Sequence, residues 1–186
     1  MAEREDDDLV LEARGGSASA METLYRRHAP RLLAYALRVT GDRDLAEDVV
    51  QETFAWFFRN LERYEPQGKL AAYLFRIAHS TATDEAVAAR KARRAVDRRS
   101  PIAEAPDDPL GELPTAERVQ AALAALPAHL REVVVLRLFQ GLDYAAVGEA
   151  TGVSEATARS RMRYALAALR GALHRPAEDS AARGDD

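Results

Sequence analysis

The chain has 186 residues, of which 47% are hydrophobic, 30% are charged and none is cysteine, and its net charge is −4. This length allows one domain or two small ones, and the lack of cysteine excludes disulfides, thiolate metal sites and cysteine nucleophiles. No apolar run reaches the roughly 20 residues that cross a bilayer, and the acidic start does not resemble a signal peptide. We therefore expect a cytoplasmic protein without membrane insertion.

Charge is segregated along the chain, which argues for different partners on different faces. Residues 3–8 sum to −4 and residues 176–186 to −3, whereas residues 84–99 sum to +3 and residues 154–175 to +4. Basic segments that alternate with acidic ones suit a protein with one face for nucleic acid and other faces for other contacts.

The first half of the chain predicts a small helical domain. Residues 1–18 are acidic, and we expect them to be disordered. From residue 19 to residue 95, apolar residues recur at spacings of three and four, which is typical of amphipathic helices. Thr40, Gly41 and Asp42 predict the end of one helix, either Asp42 or Asp44 predicts the cap of the next, and Pro66 and Gly68 predict a loop.

The second half predicts a linker and another helical domain. Residues 96–114 contain four prolines among acidic residues, which is typical of an extended, flexible linker. Helical spacing returns over residues 115–174, and residues 175–186 predict a disordered tail. The expected fold is all-α: two small helical domains joined by a flexible acidic linker.

The C-terminal domain contains the pattern of a helix-turn-helix. Asp143 predicts the cap of a first helix, Gly152 its left-handed end, and Ser154 the cap of a second helix. A stripe at helical spacing predicts the buried side of the second helix, formed by Ala158, Met162, Ala165 and Leu169. The candidate duplex-DNA contacts on the second helix are Thr157, Arg159, Ser160, Arg161 and Arg163. Arg159, Ser160 and Arg163 face away from the stripe and suit base edges, whereas Arg161 suits phosphate. The alternative is a solvated basic face on an ordinary helical hairpin.

Three longer strings carry a resemblance to a known family. The segment LPAHLREVVVLRLFQGLDYAAVGEATGVSEATARSRMRYALAALR resembles the promoter-reading C-terminal domain of bacterial sigma factors, in particular the extracytoplasmic-function (ECF) group. LYRRHAPRLLAYALRVTGDRDLAEDVVQETFAWFF and AAYLFRIAHSTATD resemble the N-terminal domain of the same family, and AEDVVQETF is the most family-specific of these strings. The resemblance covers residues 20–94 and 115–173.

The resemblance implies a polymerase-binding surface and a surface for melted DNA. Asp48, Gln51 and Glu52 share a helix face and match positions that bind the clamp helices of the polymerase largest subunit. The family also implies contact with the flap of the second-largest subunit. The candidates for melted promoter DNA are Tyr64, Lys69, Tyr73, Arg76 and Ser80, with Tyr64 and the loop of residues 65–69 around one flipped base. The alternatives are a solvated acidic face for the first set and a core position for Tyr73.

The sequence departs from the family at several positions of the expected readout. Tyr73 stands where the family usually has Trp, Ser80 where it has Asn, and Arg163 and Tyr164 also differ from the common residues. These differences affect the promoter sequence that we expect the chain to read, and they leave the resemblance itself intact.

The resemblance predicts a factor that binds core RNA polymerase, directs it to promoters and assists promoter melting. We expect no catalytic residues, no cofactor and no metal, since the histidines are scattered and no phosphate-binding loop is present. The expected partners are core RNA polymerase, promoter DNA and, as a further candidate, an anti-sigma factor. An autonomous helix-turn-helix regulator and a decoy that docks on polymerase without reading DNA are the alternatives.

Overall fold

The computed structural model describes residues 5–83 and 116–173, and within these ranges every regular element is helical, as the sequence predicts. The elements of the first half are α1 (Asp6–Arg14), α2 (Ala18–Thr40), α3 (Arg43–Arg59), a 3₁₀ turn (Leu61–Arg63) and α4 (Leu70–Thr83). Those of the second half are α5 (Ala116–Ala125), α6 (Ala128–Val134), a π-helical turn (Val135–Phe139), α7 (Tyr144–Thr151) and α8 (Glu155–Leu173). The basic segment 84–99, the linker 96–114 and the tail 175–186 lie outside the described residues.

Local signals set the helix boundaries of the first domain. The Ser17 hydroxyl caps α2 by accepting a hydrogen bond from the Ala20 amide. Gly41 ends that helix in the left-handed conformation at φ 69°, which glycine adopts without steric cost. The Asp42 carboxylate then accepts from the amides of Asp44 and Leu45 at 3.0 and 3.1 Å, so the predicted turn is confirmed and Asp42, of the two candidates, is the cap.

The core of the first domain lies where α2, α3 and α4 meet. Phe57 of α3 is fully buried, and Tyr35 of α2 packs its ring against Phe75 of α4 with centroids 5.3 Å apart. The apolar stripes that the sequence predicts supply most of this core: Leu24, Leu32, Leu45, Val49, Val50, Phe54, Phe57, Leu70, Leu74 and Ile77. Two further residues of α2 at helical spacing lie outside the core, since Leu33 is half-buried and 40% of Leu37 is exposed.

The N-terminal segment corrects one expectation. We predicted disorder up to residue 18, but residues 6–14 form α1, which packs along α2. Leu9, Val10 and Ala13 are buried by this packing, and the burial of apolar side chains against a neighbouring helix stabilises a short helix that composition alone does not predict. The prediction of a disordered N-terminus is therefore wrong for residues 5–18.

The second domain contains the predicted helix-turn-helix, formed by α7 and α8. The Asp143 carboxylate caps α7 through the Ala146 amide at 2.7 Å, and Gly152 ends the helix in the left-handed conformation at φ 69°. The Ser154 hydroxyl accepts from the Thr157 amide at 3.1 Å at the start of α8. The predicted stripe of α8 is confirmed, with Ala158, Met162 and Ala165 buried and Leu169 packed at its edge.

The two domains pack against each other, chiefly α4 against α7. Glu132 is buried, and its carboxylate lies 3.2 Å from His79 Nδ1, an ion-pair distance without hydrogen-bond geometry. Two arginines donate to carbonyls of the opposite domain, Arg31 to Gln140 and Arg131 to Val39. The domain interface therefore rests on polar contacts as well as on apolar packing.

A close approach in the helix-turn-helix gives a stability prediction. A Cβ atom on Gly148 would lie 2.6 Å from the Val153 carbonyl oxygen, so Gly148→Ala should destabilise the fold by roughly 1–3 kcal/mol. Gly171→Ala is the matched control, because nothing lies within 4 Å of the added Cβ and a helical alanine is favoured by about 0.5–1 kcal/mol. Urea unfolding followed by circular dichroism measures the free energy of unfolding of both variants. Equal midpoints for the two variants would contradict the close approach.

Candidate polymerase and nucleic-acid interfaces

The predicted clamp surface lies on the side of α3 that faces away from the core. Gln51 and Glu52 are exposed and Asp48 is half-buried, while the stripe of Val49, Val50, Phe54 and Phe57 turns inward. The structure thus brings the three predicted residues to one accessible face, on a helix whose position is fixed by its buried side.

Beside this face lies an apolar groove that the sequence reading missed. Tyr25 and Leu33 of α2 line it together with Val50 and Gln51 of α3, and its volume is about 530 Å³. Tyr25 is 42% exposed, and its ring lies 4.8 Å from that of Phe54 between centroids. The groove therefore places Gln51 beside a partly exposed aromatic patch. This patch forms only because α2 packs against α3, so no local sequence motif predicts it.

The predicted surface for melted DNA includes a groove between α3 and α4. Arg76 and Ser80 of α4 are exposed and line it, and the Arg76 guanidinium lies 4.7 Å from the centroid of the Tyr73 ring. Trp56 and Arg59 of α3 line the same groove, which has a volume of about 790 Å³. A cation and an aromatic ring beside one another suit an unpaired, stacked strand. Sequence reasoning missed Trp56 and Arg59, although both lie at helical spacing from Glu52.

Tyr64 is placed differently from what the sequence suggested. Its ring is 3% exposed and packs against Tyr73 with centroids 5.1 Å apart, so it offers little face for a base. Its hydroxyl donates to Asp7 Oδ1 at 2.7 Å and accepts from the Lys69 amide at 3.3 Å. Burial and then the Asp7 carboxylate raise the pKa of Tyr64 to about 12, which keeps the phenol neutral. We therefore revise the role of Tyr64 from stacking to shaping the loop.

The loop that follows Tyr64 surrounds a cavity of about 280 Å³. Gly68 turns the chain in the left-handed conformation at φ 69°. The lining combines cations, aromatic rings and acids: Arg63, Tyr64, Glu65, Gln67, Lys69, Tyr73, Arg76 and Glu149. Glu149 comes from α7 of the second domain, and its carboxylate lies 2.9 Å from Lys69 Nζ. A carboxylate of the second domain thus occupies the mouth of the predicted base site.

The arginines of the recognition helix α8 differ in their exposure and in the side chains that they contact. Arg159 is exposed, pairs with Glu155 and lies 4.6 Å from the centroid of the Tyr144 ring. Arg163 is exposed and lies 5.5 Å from the Tyr164 ring. Arg161 is half-buried, as is Ser160, whereas Thr157 is exposed and its hydroxyl lies 2.9 Å from that of Ser154. Tyr144, which orients Arg159 from α7, was not singled out in the sequence.

The described residues also bear on metal binding and membrane insertion. Within residues 5–83 and 116–173, no group of three or more histidine, aspartate or glutamate side chains is arranged to hold a metal ion. Across the same ranges, no helix combines the length and the apolar character needed to cross a membrane.

These surfaces define the class of protein. A helix-turn-helix with an arginine-rich second helix is joined to a helical domain that has a basic and aromatic groove, an arrangement typical of a DNA-binding transcription factor. The family models of Sigma-70 region 2 and Sigma-70 region 4 match residues 24–95 and 116–169, respectively.

Comparison with known proteins then gives the family. The chain is 34% identical to the ECF RNA polymerase sigma factor SigL of Mycobacterium tuberculosis, over 87% of this chain and 93% of that protein. It is 33% identical to the ECF factor SigE of Mycolicibacterium smegmatis, over 92% of this chain and 69% of that protein. The chain belongs to the ECF RNA polymerase sigma factors. It is a sigma factor that binds core RNA polymerase, directs it to promoters and assists melting, and an autonomous regulator is not favoured.

Solved structures show the same fold. CnrH in complex with the cytosolic domain of CnrY matches with a TM-score of 0.64 at 26% identity, over 89% of this chain and 95% of that chain. RpoE of Bartonella quintana, in complex with the anti-sigma factor NepR, matches with a TM-score of 0.64 at 24% identity, over 82% of this chain and 95% of that chain. The second likeness shows the fold alone.

The position of Glu149 generates a binding prediction. Glu149→Ala removes the carboxylate beside Lys69. The isolated chain should therefore bind a single-stranded oligonucleotide from the melting element, the part of the promoter that is opened, about two- to five-fold more tightly. Fluorescence anisotropy at two salt concentrations measures this affinity. Glu22→Ala removes an exposed acid from α2 as the matched control. Equal changes in the two variants would show that net charge, rather than the contact with Lys69, sets the affinity.

Proposed function

We propose that three separate surfaces divide the work of this sigma factor. Asp48, Gln51 and Glu52 bind the clamp helices of the polymerase largest subunit. The groove and loop that include Lys69, Tyr73, Arg76 and Ser80 hold the melted promoter strand, with Tyr64 shaping the loop. Thr157, Arg159, Ser160, Arg161 and Arg163 of α8 bind duplex DNA upstream. The observation that supports this division is that the exposed members of each set lie beside a buried helix stripe, with Glu52 shared between the first two surfaces.

We also propose further partners and a location for the protein. The second domain contacts the flap of the second-largest subunit, and the protein works in the cytoplasm without catalytic activity of its own. An anti-sigma factor is a further proposed partner, supported by the match to CnrH, whose structure is a complex with the cytosolic domain of CnrY. We also propose two domains at residues 19–95 and 115–174, with α1 (Asp6–Arg14) packed onto the first of them.

Glu52 connects two of these surfaces. It lies on the clamp face of α3 and also lines the groove that contains Arg76 and Ser80. A polymerase helix seated on this face would therefore lie directly beside the melted strand. This adjacency supports a coupling between core binding and capture of the open strand, because one helix contributes to both surfaces.

The clamp surface is tested by a double substitution. Asp48→Ala with Gln51→Ala should weaken binding to core polymerase by about 30-fold or more, since truncating an interface hot spot costs about 2 kcal/mol. The measurement is a titration of labelled sigma factor with core enzyme, with circular dichroism to show that helicity is retained. Glu62→Ala, an exposed acid outside α3, is the control. An unchanged dissociation constant for the folded double variant would remove the clamp assignment.

The recognition helix is tested by separating base reading from phosphate contact. Arg159 is exposed and held by Glu155 and Tyr144, so Arg159→Ala should cost roughly 1–3 kcal/mol at one or two base pairs of the upstream element. Arg161→Ala should weaken all promoters about equally and reduce the salt dependence of binding. Transcription by the holoenzyme from a library randomised in the upstream element measures both effects. If Arg159→Ala lowers every sequence by the same factor, Arg159 contacts phosphate and the register assigned to α8 is wrong.

A further inference from the structure

The N-terminal helix is bonded directly to the loop that surrounds the candidate base cavity. Asp7 uses both oxygens of its carboxylate: Oδ1 accepts from the Tyr64 hydroxyl and Oδ2 accepts from the Gly68 amide, each at 2.7 Å. Tyr64 and Gly68 lie on the two sides of this loop. One side chain therefore ties together the start and the end of the segment that lines the cavity.

A second contact from the same helix holds the base of the loop. Arg14, in the last turn of α1, donates from Nε and Nη2 to the Leu61 carbonyl at 3.3 and 3.0 Å and also to the Tyr64 carbonyl. These carbonyls belong to the 3₁₀ turn and the residue that follows it. The two ends of α1 thus fix two successive parts of one loop.

The attachment of α1 itself does not depend on Asp7. Leu9 and Val10 of α1 are fully buried. Asp6 pairs with Arg27 at 2.5 Å and with His28 at 2.8 Å. Burial opposes the ionised form of Asp6, but hydrogen bonds and charge from His28 and Arg27 outweigh it and lower the pKa of this carboxyl. The helix is therefore anchored by other residues, and Asp7 is left to contact the loop.

We propose that Asp7 is a specificity-determining positioning residue, which fixes the loop of residues 64–69 in the shape that accepts one unpaired base of the melted strand. The inference rests on the proposed function of that loop and adds α1 to the promoter-reading apparatus. Hydrogen bonds to an ionised carboxylate are about twice as strong as neutral ones, so the loop is ordered before DNA arrives. A preordered loop discriminates between bases because a wrong base leaves its fixed polar groups unpaired.

The chain offers a closely matched pair of variants. Asp7→Asn and Asp8→Asn make the same change of charge and size at neighbouring positions of α1, and Asp8 is exposed. Each variant is assembled with core polymerase, and run-off transcription is measured on a promoter library randomised through the melting element. Asp7→Asn should reduce the base preference at one position by about ten-fold, the effect of losing one charge-assisted hydrogen bond. Preference at the other positions, at the upstream element and for core binding should stay unchanged, and Asp8→Asn should match the wild type.

A titration shows whether the bond to Tyr64 exists in solution. The pKa of Tyr64 lies at about 12 partly because of Asp7, so Asp7→Asn should move it down toward the ordinary value of 10. Nuclear magnetic resonance of tyrosine labelled at Cζ follows this group, and Tyr64→Phe identifies its signal. Tyr64→Phe should also weaken preference at the same promoter position, and the double variant should lose little more than either single one.

The outcomes separate this inference from the proposal beneath it. If the wild-type holoenzyme shows no base preference within the melting element, the proposed function of the loop fails. If the wild type shows a preference that Asp7→Asn retains, or if Asp7→Asn and Asp8→Asn lower all promoters alike, the role of Asp7 is overturned while the loop keeps its function. A preference lost at one position in Asp7→Asn alone supports the inference.

Discussion

The burial of one side of α3 is the constraint on which the candidate surfaces depend. Phe57 is fully buried and Phe54 nearly so, packed between α2 and α4. Because a helix repeats every 3.6 residues, this packing turns Gln51 and Glu52 outward and leaves Trp56 at the border with α4. The polymerase face and the groove for melted DNA are therefore two consequences of a single packed stripe. Any change that rotates α3 would displace both surfaces together.

The contact between the two domains has a different character. Four buried side-chain atoms in the described part of the chain make no hydrogen bond, and they are Tyr35 Oη, Arg38 Nε, His79 Nδ1 and Arg131 Nε. His79 and Arg131 take part in the domain contacts, and Tyr35 is affected by Glu132 of the second domain. Burial, and then the charge of Glu132, raise the pKa of Tyr35 well above its ordinary value. Burying such groups costs free energy, so the packing of the domains is less favourable than its area implies.

Local chemistry explains which parts of the fold the sequence predicted. The helix end at Gly41, the cap at Asp143 and the left-handed glycine at 152 depend on neighbours within a few residues, and each was predicted correctly; at the start of α3 the sequence offered Asp42 or Asp44, and Asp42 is the cap. The helix α1 was missed because its acidic composition outweighed a short stripe of Leu9, Val10 and Ala13. That stripe becomes stabilising only against α2, and sequence spacing alone does not show that partner.

The sequence predicted which residues belong to the candidate site better than it predicted how they are arranged. Lys69, Arg76 and Ser80 were named from a resemblance, and the structure places all three at accessible positions on or beside α4. The hydrogen bond from the Tyr64 hydroxyl to Asp7 could not be predicted in the same way, since Asp7 lies 57 residues earlier in the chain. Glu149 lies 80 residues from Lys69, and only the packing of α7 on α4 brings the two together. Contacts of this range are set by tertiary structure.

Ion pairs within the chain show how a protein of negative net charge can still bind DNA. Lys69 pairs with Glu149, and Arg159 pairs with Glu155, so two of the proposed DNA-binding cations already have a carboxylate partner in the free chain. Both pairs are exposed, and such pairs contribute only about 0–1 kcal/mol. A phosphate can replace either carboxylate at little cost, and the displaced acid returns to water. The acidic residues therefore hold the basic side chains in extended, oriented positions without competing strongly with DNA, and a chain of net charge −4 retains basic surfaces suited to a promoter.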